Sequence, residues 1–428
     1  MVASKYEFVI AGTGAGGATL ARELSKRGKT VLAVDQGKLE NKTGTLIDCF
    51  RYFDLNYFTK MPPKSKDGVR LWRTLMAGGS TVVSCGNGIR CLEKELADFG
   101  IILKQEFEEA EREMRIVEYH TRRLSQGSKK IMEVCEDLGI AMVPMPKFID
   151  SSKCRRCGVC TMGCKYDAKW TALDYLAESQ NNGAEVLYET RVNKVLMKNG
   201  RATGIRVSGP GGTREINAEV VIISAGGIGT PIILQKSGFD KAGKGLFMDL
   251  LVNTYGVTRD LSQIEEPTMA VVYHGAYDSK GFILSPYINQ HILLRFIEMG
   301  IQGVFLPENR MLGIMTKIRD EPTGHVNVNG TFVKPVSEND WKKLNEGSLI
   351  SRKILVEAGA DSRSILVSKV QGGHPGGTAA IGTIVDKDLQ TRVDNLFVCD
   401  GSVLPTSPGM PPILTIVALA KRLAKTLS

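Results

Sequence analysis

Phe8-Val9-Ile10-Ala11-Gly12-Thr13-Gly14-Ala15-Gly16-Gly17 is the stretch on which the fold turns. An apolar run, the signature of a buried strand, leads into glycines spaced G-x-G-x-x-G. Residues 18–26 then carry apolar side chains at helical spacing (Leu20, Ala21, Leu24), Gly28 ends that helix, and residues 30–34 turn β-branched and apolar again. Asp35 closes this second strand. Gly12 permits the tight turn, Gly14 lets backbone N–H groups approach a pyrophosphate, and Gly17 allows close packing of the helix, whose amino terminus favours an anion. Asp35 can accept hydrogen bonds from ribose hydroxyls. A glycine-rich turn in an unrelated sheet protein is the competing reading. The complete strand–helix–strand unit with its acid favours a dinucleotide, though the loop does not distinguish FAD from NAD.

The rest of the composition is that of a globular protein. With 428 residues, two lobes are expected, and 43% hydrophobic with 24% charged residues excludes a disordered, collagen-like or disulfide-scaffold chain. No window approaches the ~18 uninterrupted apolar residues of a membrane-spanning helix. The glycine loop begins too early to leave room for a secretory signal. Four of the nine cysteines fall between 154 and 164, while Cys49, Cys85, Cys91, Cys135 and Cys399 are scattered, so a reducing, cytoplasmic setting is expected. The 55 Lys and Arg exceed the 46 Asp and Glu by nine without forming long basic runs, which argues against nucleic acid and for an anionic ligand or acidic protein partner.

Residues 36–70 read as a polar surface excursion, and 71–90 are rich in small side chains. Two or three helices are expected within 107–138, strands at 185–188 and 219–224, and a hairpin at 210–212. From 250 to 370 the pattern weakens to short β-like runs (269–273, 282–284) and one helix, 340–358; a strand (395–399) and an apolar helix (413–427) close the chain.

Four further segments occur in a telling order: Gly78-Gly79-Ser80-Thr81 with Asn87, Ala225-Gly226-Gly227-Ile228-Gly229-Thr230-Pro231, His374-Pro375-Gly376-Gly377-Thr378, and Asp400-Gly401-Ser402-Val403. With the glycine loop they resemble the glucose-methanol-choline (GMC) oxidoreductases, over about two-thirds of the chain. The resemblance implies an α/β fold: a Rossmann-like FAD-binding domain (1–245 and 371–428, with a cysteine-bearing insertion at about 145–175) and a smaller α+β substrate lobe (246–370). It implies extended FAD, with Gly78, Gly79, Ser80 and Thr81 along the pyrophosphate and ring, and Asn87 nearby. Val192 would sit by the adenine, Ala225 and Gly226 under the nucleotide, and Asp400 and Gly401 at the ribityl and pyrophosphate groups. By the same resemblance His374 is the base toward an alcohol O–H while hydride moves to flavin N5, a role suited to a side chain that titrates near neutrality. The other histidines (His120, His274, His291, His325) lack a motif. One departure stands out: where the family usually has a second histidine or an asparagine, this sequence has Pro411, whose side chain makes no hydrogen bond. Either the partner comes from the 250–370 lobe, or the reaction is not simple alcohol oxidation.

Cys154-x-x-Cys157-x-x-Cys160-x-x-x-Cys164 has the spacing of a bacterial ferredoxin motif without its following proline. Three readings compete: a [4Fe-4S] cluster held by these four or by three plus a remote cysteine, a structural zinc, or plain thiols, as in the similar stretch of related long-chain alcohol oxidases. A cluster would pass electrons singly to a ferredoxin-like carrier, with Lys153, Arg155, Arg156 and Lys165 as a basic docking face. The expectation is therefore an FAD-dependent dehydrogenase acting on a CH–OH group. The alternatives are a reductase of a C=C or C=O bond fed through the cluster, and a non-catalytic electron-transfer subunit.

Overall fold

Strand Tyr6–Ala11 is apolar over its inner length because it lies between two parallel neighbours, with Val9 opposite Leu32 on one side and Val221 on the other. In the computed structural model, which describes residues 6–56, 59 and 61–427, this strand is central to a seven-stranded sheet. Glu185–Leu187 adds beyond Val31–Val34, and Leu396–Val398 lies parallel to the end of Gly212–Ile223. The other half of Gly212–Ile223 leaves the parallel layer as an antiparallel ribbon with Arg201–Gly209 and Arg191–Lys198, turning at Gly212 with φ +78°. Helix Ala15–Ser25 packs between helices Ala172–Asn181 and Ile413–Thr426. Leu20, Leu24, Leu414, Val417 and Leu423 are fully buried there, each stabilising the layer by about 1.5–3 kcal/mol. The expected Rossmann-like α/β unit is thus present.

A second, six-stranded sheet explains why 250–370 is hard to read. Its strands run in the order Phe282–Pro286, Met311–Ile318, Leu250–Val257, Gln371–Gly372 and Arg70–Leu71, with Leu366–Val367 also pairing with Leu250–Val257. Leu250–Val257 and Met311–Ile318 are buried on both faces, so neither alternates. Helix Glu338–Glu357, capped by Ser337 Oγ accepting from the Asp340 N–H (3.0 Å), packs on this sheet. The register sets Leu251 opposite Lys317 and Gln371, and Asn253 opposite Met315, so these five side chains share a face.

Residues 36–70 are more than a surface excursion. Thr45 caps a helix, Leu46–Tyr52, whose Cys49 and Tyr52 are buried, and the Tyr52 hydroxyl donates to the Met162 carbonyl (2.5 Å). The expected run at 269–273 narrows to Val271–Val272, paired with Val143–Pro144. The region 107–138 resolves into helices Lys104–Glu113 and Gln126–Asp137.

Candidate functional site

The glycine loop opens onto a cavity of about 520 Å³ that runs from the first sheet to the face of the second. Gly12 has φ +104°, and a Cβ there would lie 2.2 Å from the Ser224 carbonyl oxygen; at Gly17 it would lie 2.0 Å from the Gly12 oxygen. These two glycines are required by packing. At Gly14 a Cβ would meet nothing within 4 Å, so the backbone there faces open space at the start of helix Ala15–Ser25. A tight turn, an open backbone edge and a helix amino terminus together fit the pyrophosphate of a dinucleotide.

Asp35 shapes this loop from within. Its Oδ2 accepts from the Thr13 N–H (2.9 Å) and hydroxyl (2.7 Å), and its Oδ1 accepts from the Gly37 N–H (2.8 Å). Burial pushes the carboxyl up, against the pull of these bonds. Thr13, which sequence reasoning missed, also accepts from the Gly78 N–H (3.1 Å) and so ties the two glycine segments together. Asp400 is built in the same way: Oδ2 accepts from the Gly226 N–H (2.8 Å) and Thr230 hydroxyl (2.5 Å), and Oδ1 from the Ser402 N–H (2.7 Å).

Of the residues expected at the cofactor, Gly12, Gly14, Asp35, Gly79, Ser80, Thr81, Val192, Ala225, Gly226, Asp400 and Gly401 line the cavity, and so does His374. Gly17, Gly78 and Asn87 are not among its lining residues. Gly78 has φ +81° and packs on Leu173. Asn87 is buried with its Oδ1 accepting from Lys147 Nζ and its amide donating to Met269 Sδ (3.3 Å). Its amide oxygen serves a buried lysine.

His374 lies where the two sheets' contributions meet. Its Nδ1 is 2.9 Å from Asp249 Oδ2, while Asp249 Oδ1 accepts from the Ser407 hydroxyl (2.7 Å) and the Gly409 N–H (2.9 Å). A carboxylate only accepts, so Nδ1 carries the proton and Nε2 keeps its lone pair. Burial and the neighbouring Lys317 ammonium push the imidazole below its usual pKa, against Asp249, so it is neutral near pH 7. Lys317, also on the cavity wall, places Nζ 3.5 Å from the same Nδ1. Deeper in, Glu298 Oε1 accepts from Asn253 (2.9 Å), Asn289 (2.6 Å) and Gln371 (2.9 Å), and Oε2 from the Tyr255 hydroxyl (2.7 Å). Asp249, Lys317 and Glu298 were missed in the sequence, where the only signal is an ionisable residue interrupting an apolar run: Phe247-Met248-Asp249-Leu250 and Met315-Thr316-Lys317-Ile318.

Cys154, Cys157, Cys160 and Cys164 line one small second cavity, and all nine cysteines are free thiols. Burial pushes the Cys154 and Cys157 thiols up. Among the described residues, no three His, Cys, Asp or Glu side chains converge closely enough to hold one metal ion. Zinc at its ~2.3 Å thiolate distance needs such convergence, so the arrangement does not fit zinc. Thr161 and Met162 line the large cavity, whereas Cys160, Gly163 and Cys164 line the small one, so the loop is a shared wall. The Lys169 ammonium beneath it donates to the carbonyls of Val82 (2.9 Å), Ser84 (2.6 Å) and Cys160 (2.9 Å). Lys153, Arg155 and Lys165 are exposed, while Arg156 lies 3.9 Å from Glu265. No helix among the described residues is long and apolar enough to cross a membrane.

Comparison with known proteins agrees with this geometry. Two family models described as GMC oxidoreductase match residues 6–251 and 332–420. An uncharacterized protein of Methanocaldococcus jannaschii is 32% identical over 98% of this chain and 99% of its own. A long-chain-alcohol oxidase of Arabidopsis thaliana is 22% identical over 96% of this chain and 65% of its own. Among solved structures, pyridoxine 4-oxidase from Mesorbium loti superposes with a TM-score of 0.76 at 15% identity, covering 99% of both chains, and so shares the fold.

Proposed function

Because this chain belongs to the GMC oxidoreductase family and is an FAD-dependent oxidoreductase, we propose that it oxidises a CH–OH group of a small molecule with His374 as the base. The observation that carries this reading is the His374–Asp249 pair, anchored through Nδ1 on the wall of the cavity that the dinucleotide loop also lines. Gly12, Gly14, Asp35, Gly79, Ser80, Thr81, Val192, Ala225, Gly226, Asp400 and Gly401 would hold FAD. When bound, FAD supplies the acceptor for the hydride that leaves the carbinol carbon. The protein's task is then the O–H proton, which His374 takes at Nε2 while the Asp249 carboxylate stabilises the resulting imidazolium. The second sheet's face, with Leu251, Asn253, Met315 and Gln371, would line the substrate end. The relatives named for oxidising alcohols and pyridoxine support this substrate class. Residues 1–245 and 371–428 would form the FAD domain and 246–370 most of the substrate lobe.

The four cysteines, free and grouped around one cavity that shares a wall with the first, would hold a [4Fe-4S] cluster. Such a cluster would supply a one-electron outlet toward a ferredoxin-like carrier, with Lys153, Arg155 and Lys165 on the docking face, and would make the enzyme a dehydrogenase. Anaerobic purification with flavin and iron analysis and EPR of the reduced protein tests both cofactors. Stoichiometric flavin and iron, with the EPR signal lost in Cys157→Ala, is the expected result. Flavin without iron leaves the oxidation chemistry standing and removes the cluster.

A further inference from the structure

Five lysines among the described residues are buried: Lys147, Lys169, Lys317, Lys334 and Lys421. A buried ammonium is costly unless its donors are matched, and four of the five follow that rule. Lys147 donates to two carbonyls and the Asn87 amide oxygen, and Lys169 to three carbonyls. Lys334 pairs with Asp320 (3.0 Å) and two carbonyls, and Lys421 with Glu23 and Glu113. Lys317 has only His374 Nδ1, at 3.5 Å, and that nitrogen's proton is already given to Asp249. The contact is therefore two donors meeting, and the ammonium, whose charge burial disfavours and the nearby Asp249 carboxylate supports, has no hydrogen-bond acceptor among the described residues. It faces the cavity on a sheet surface shared with Asn253, whose Oδ1 is itself buried without a partner among the described residues. The Asn253 amide orientation is fixed, because its Nδ2 donates to Glu298.

From this unmatched cation beside the base we propose that the substrate is an anionic alcohol, bearing a carboxylate or phosphate close to its carbinol carbon, and that Lys317 recognises that group. This rests on His374 being the base, since the distance between Lys317 and the imidazole is what sets the anion next to the reacting hydroxyl. Asn253 Oδ1 then accepts from a further hydroxyl of the substrate. The Lys317 ammonium selects by charge, and the apolar neighbours Leu251 and Met315 raise the penalty for leaving that charge unpaired.

The test uses the anaerobic holoenzyme and matched substrate pairs, lactate against propylene glycol and glycerol phosphate against glycerol, with flavin bleaching as readout. We expect the anionic member of at least one pair to be favoured about 10-fold or more in kcat/KM, and Lys317→Met to bring that ratio to about one while Lys317→Arg retains most of it. Which pair discriminates tells carboxylate from phosphate. Calorimetric titration with oxalate and with inorganic phosphate gives a readout independent of turnover: one of them binds the wild-type holoenzyme and neither binds Lys317→Met. Should Lys317→Met fail to hold flavin, the wild-type ratio and the Lys317→Arg variant decide. The inference is overturned by equal or better use of the neutral members with no anion binding. It is equally overturned if Lys317→Met slows both members in proportion and still binds the anion, which would set Lys317 at the reacting oxygen or the cofactor. Failure of every alcohol to reduce the flavin counts against the oxidation reading alone, because anion binding is scored separately.

Discussion

Replacing Asp249 by Asn changes one atom's role in a site that otherwise keeps its shape. Asn Oδ1 can still accept from Ser407 and the Gly409 N–H, the two bonds that fix the side chain behind His374. At the position of Oδ2, 2.9 Å from the imidazole, an amide N–H₂ would replace an acceptor. The imidazole must then turn Nδ1 into the acceptor and carry its proton on Nε2, the atom that has to receive the substrate proton. A hydrogen bond to a charged group contributes about 1.5–3 kcal/mol, which converts to about 10- to 150-fold in rate, and the wrong tautomer adds to this. We therefore expect Asp249→Asn to slow anaerobic flavin reduction by at least about 100-fold with flavin content unchanged. The pH profile supplies a sign. Asp249 raises the His374 pKa against burial and Lys317, so removing its charge lowers that pKa further. Activity requires the neutral imidazole, so the acid limb of the rate profile moves to lower pH. Stopped-flow bleaching of the flavin across pH measures both effects. A variant with wild-type rate and an unmoved acid limb would refute the assignment of Asp249 as the group that positions the base.

Two other substitutions separate packing from cofactor contact. Gly14 has φ −70° and open space where a side chain would go, so Gly14→Val should fold with stability within about 1 kcal/mol of the parent apoprotein yet emerge free of flavin. Thermal melts and the bound-flavin absorbance report the two quantities; retained flavin would remove Gly14 from the cofactor site. Asn87→Ala should do the reverse, costing about 1–3 kcal/mol because the buried Lys147 loses an acceptor, with flavin stoichiometry intact. Loss of flavin at unchanged stability would place Asn87 at the cofactor after all.

How far the sequence could be read depended on whether a residue's neighbours were local. The turn at Gly12, the open backbone at Gly14 and the helix contact at Gly17 are legible because all three arise within one strand–helix–strand unit. Asp400 is legible because Gly401 and Ser402 lie beside it, although its partners Gly226 and Thr230 arrive from far along the chain. Asn87 is less legible for the opposite reason: its amide oxygen accepts from Lys147, a buried cation whose need for acceptors no local pattern reveals. Lys317 sits in a strand buried on both faces and Asp249 immediately before another, where alternation vanishes and a lone charge is the only irregularity. Their partners, His374 and Ser407, are more than fifty residues away. The helix Leu46–Tyr52 escaped notice because it is short and its stability comes from burial against the loop carrying Met162.

The central claim, that His374 moves the substrate proton within an FAD-loaded cavity, is tested most directly by anaerobic stopped-flow reduction of wild type and His374→Ala with an alcohol that bleaches the wild-type flavin. The account predicts a variant that holds full flavin, is reduced normally by dithionite, and is reduced by the alcohol at least about 100-fold more slowly. A variant that bleaches with alcohol at the wild-type rate would contradict it.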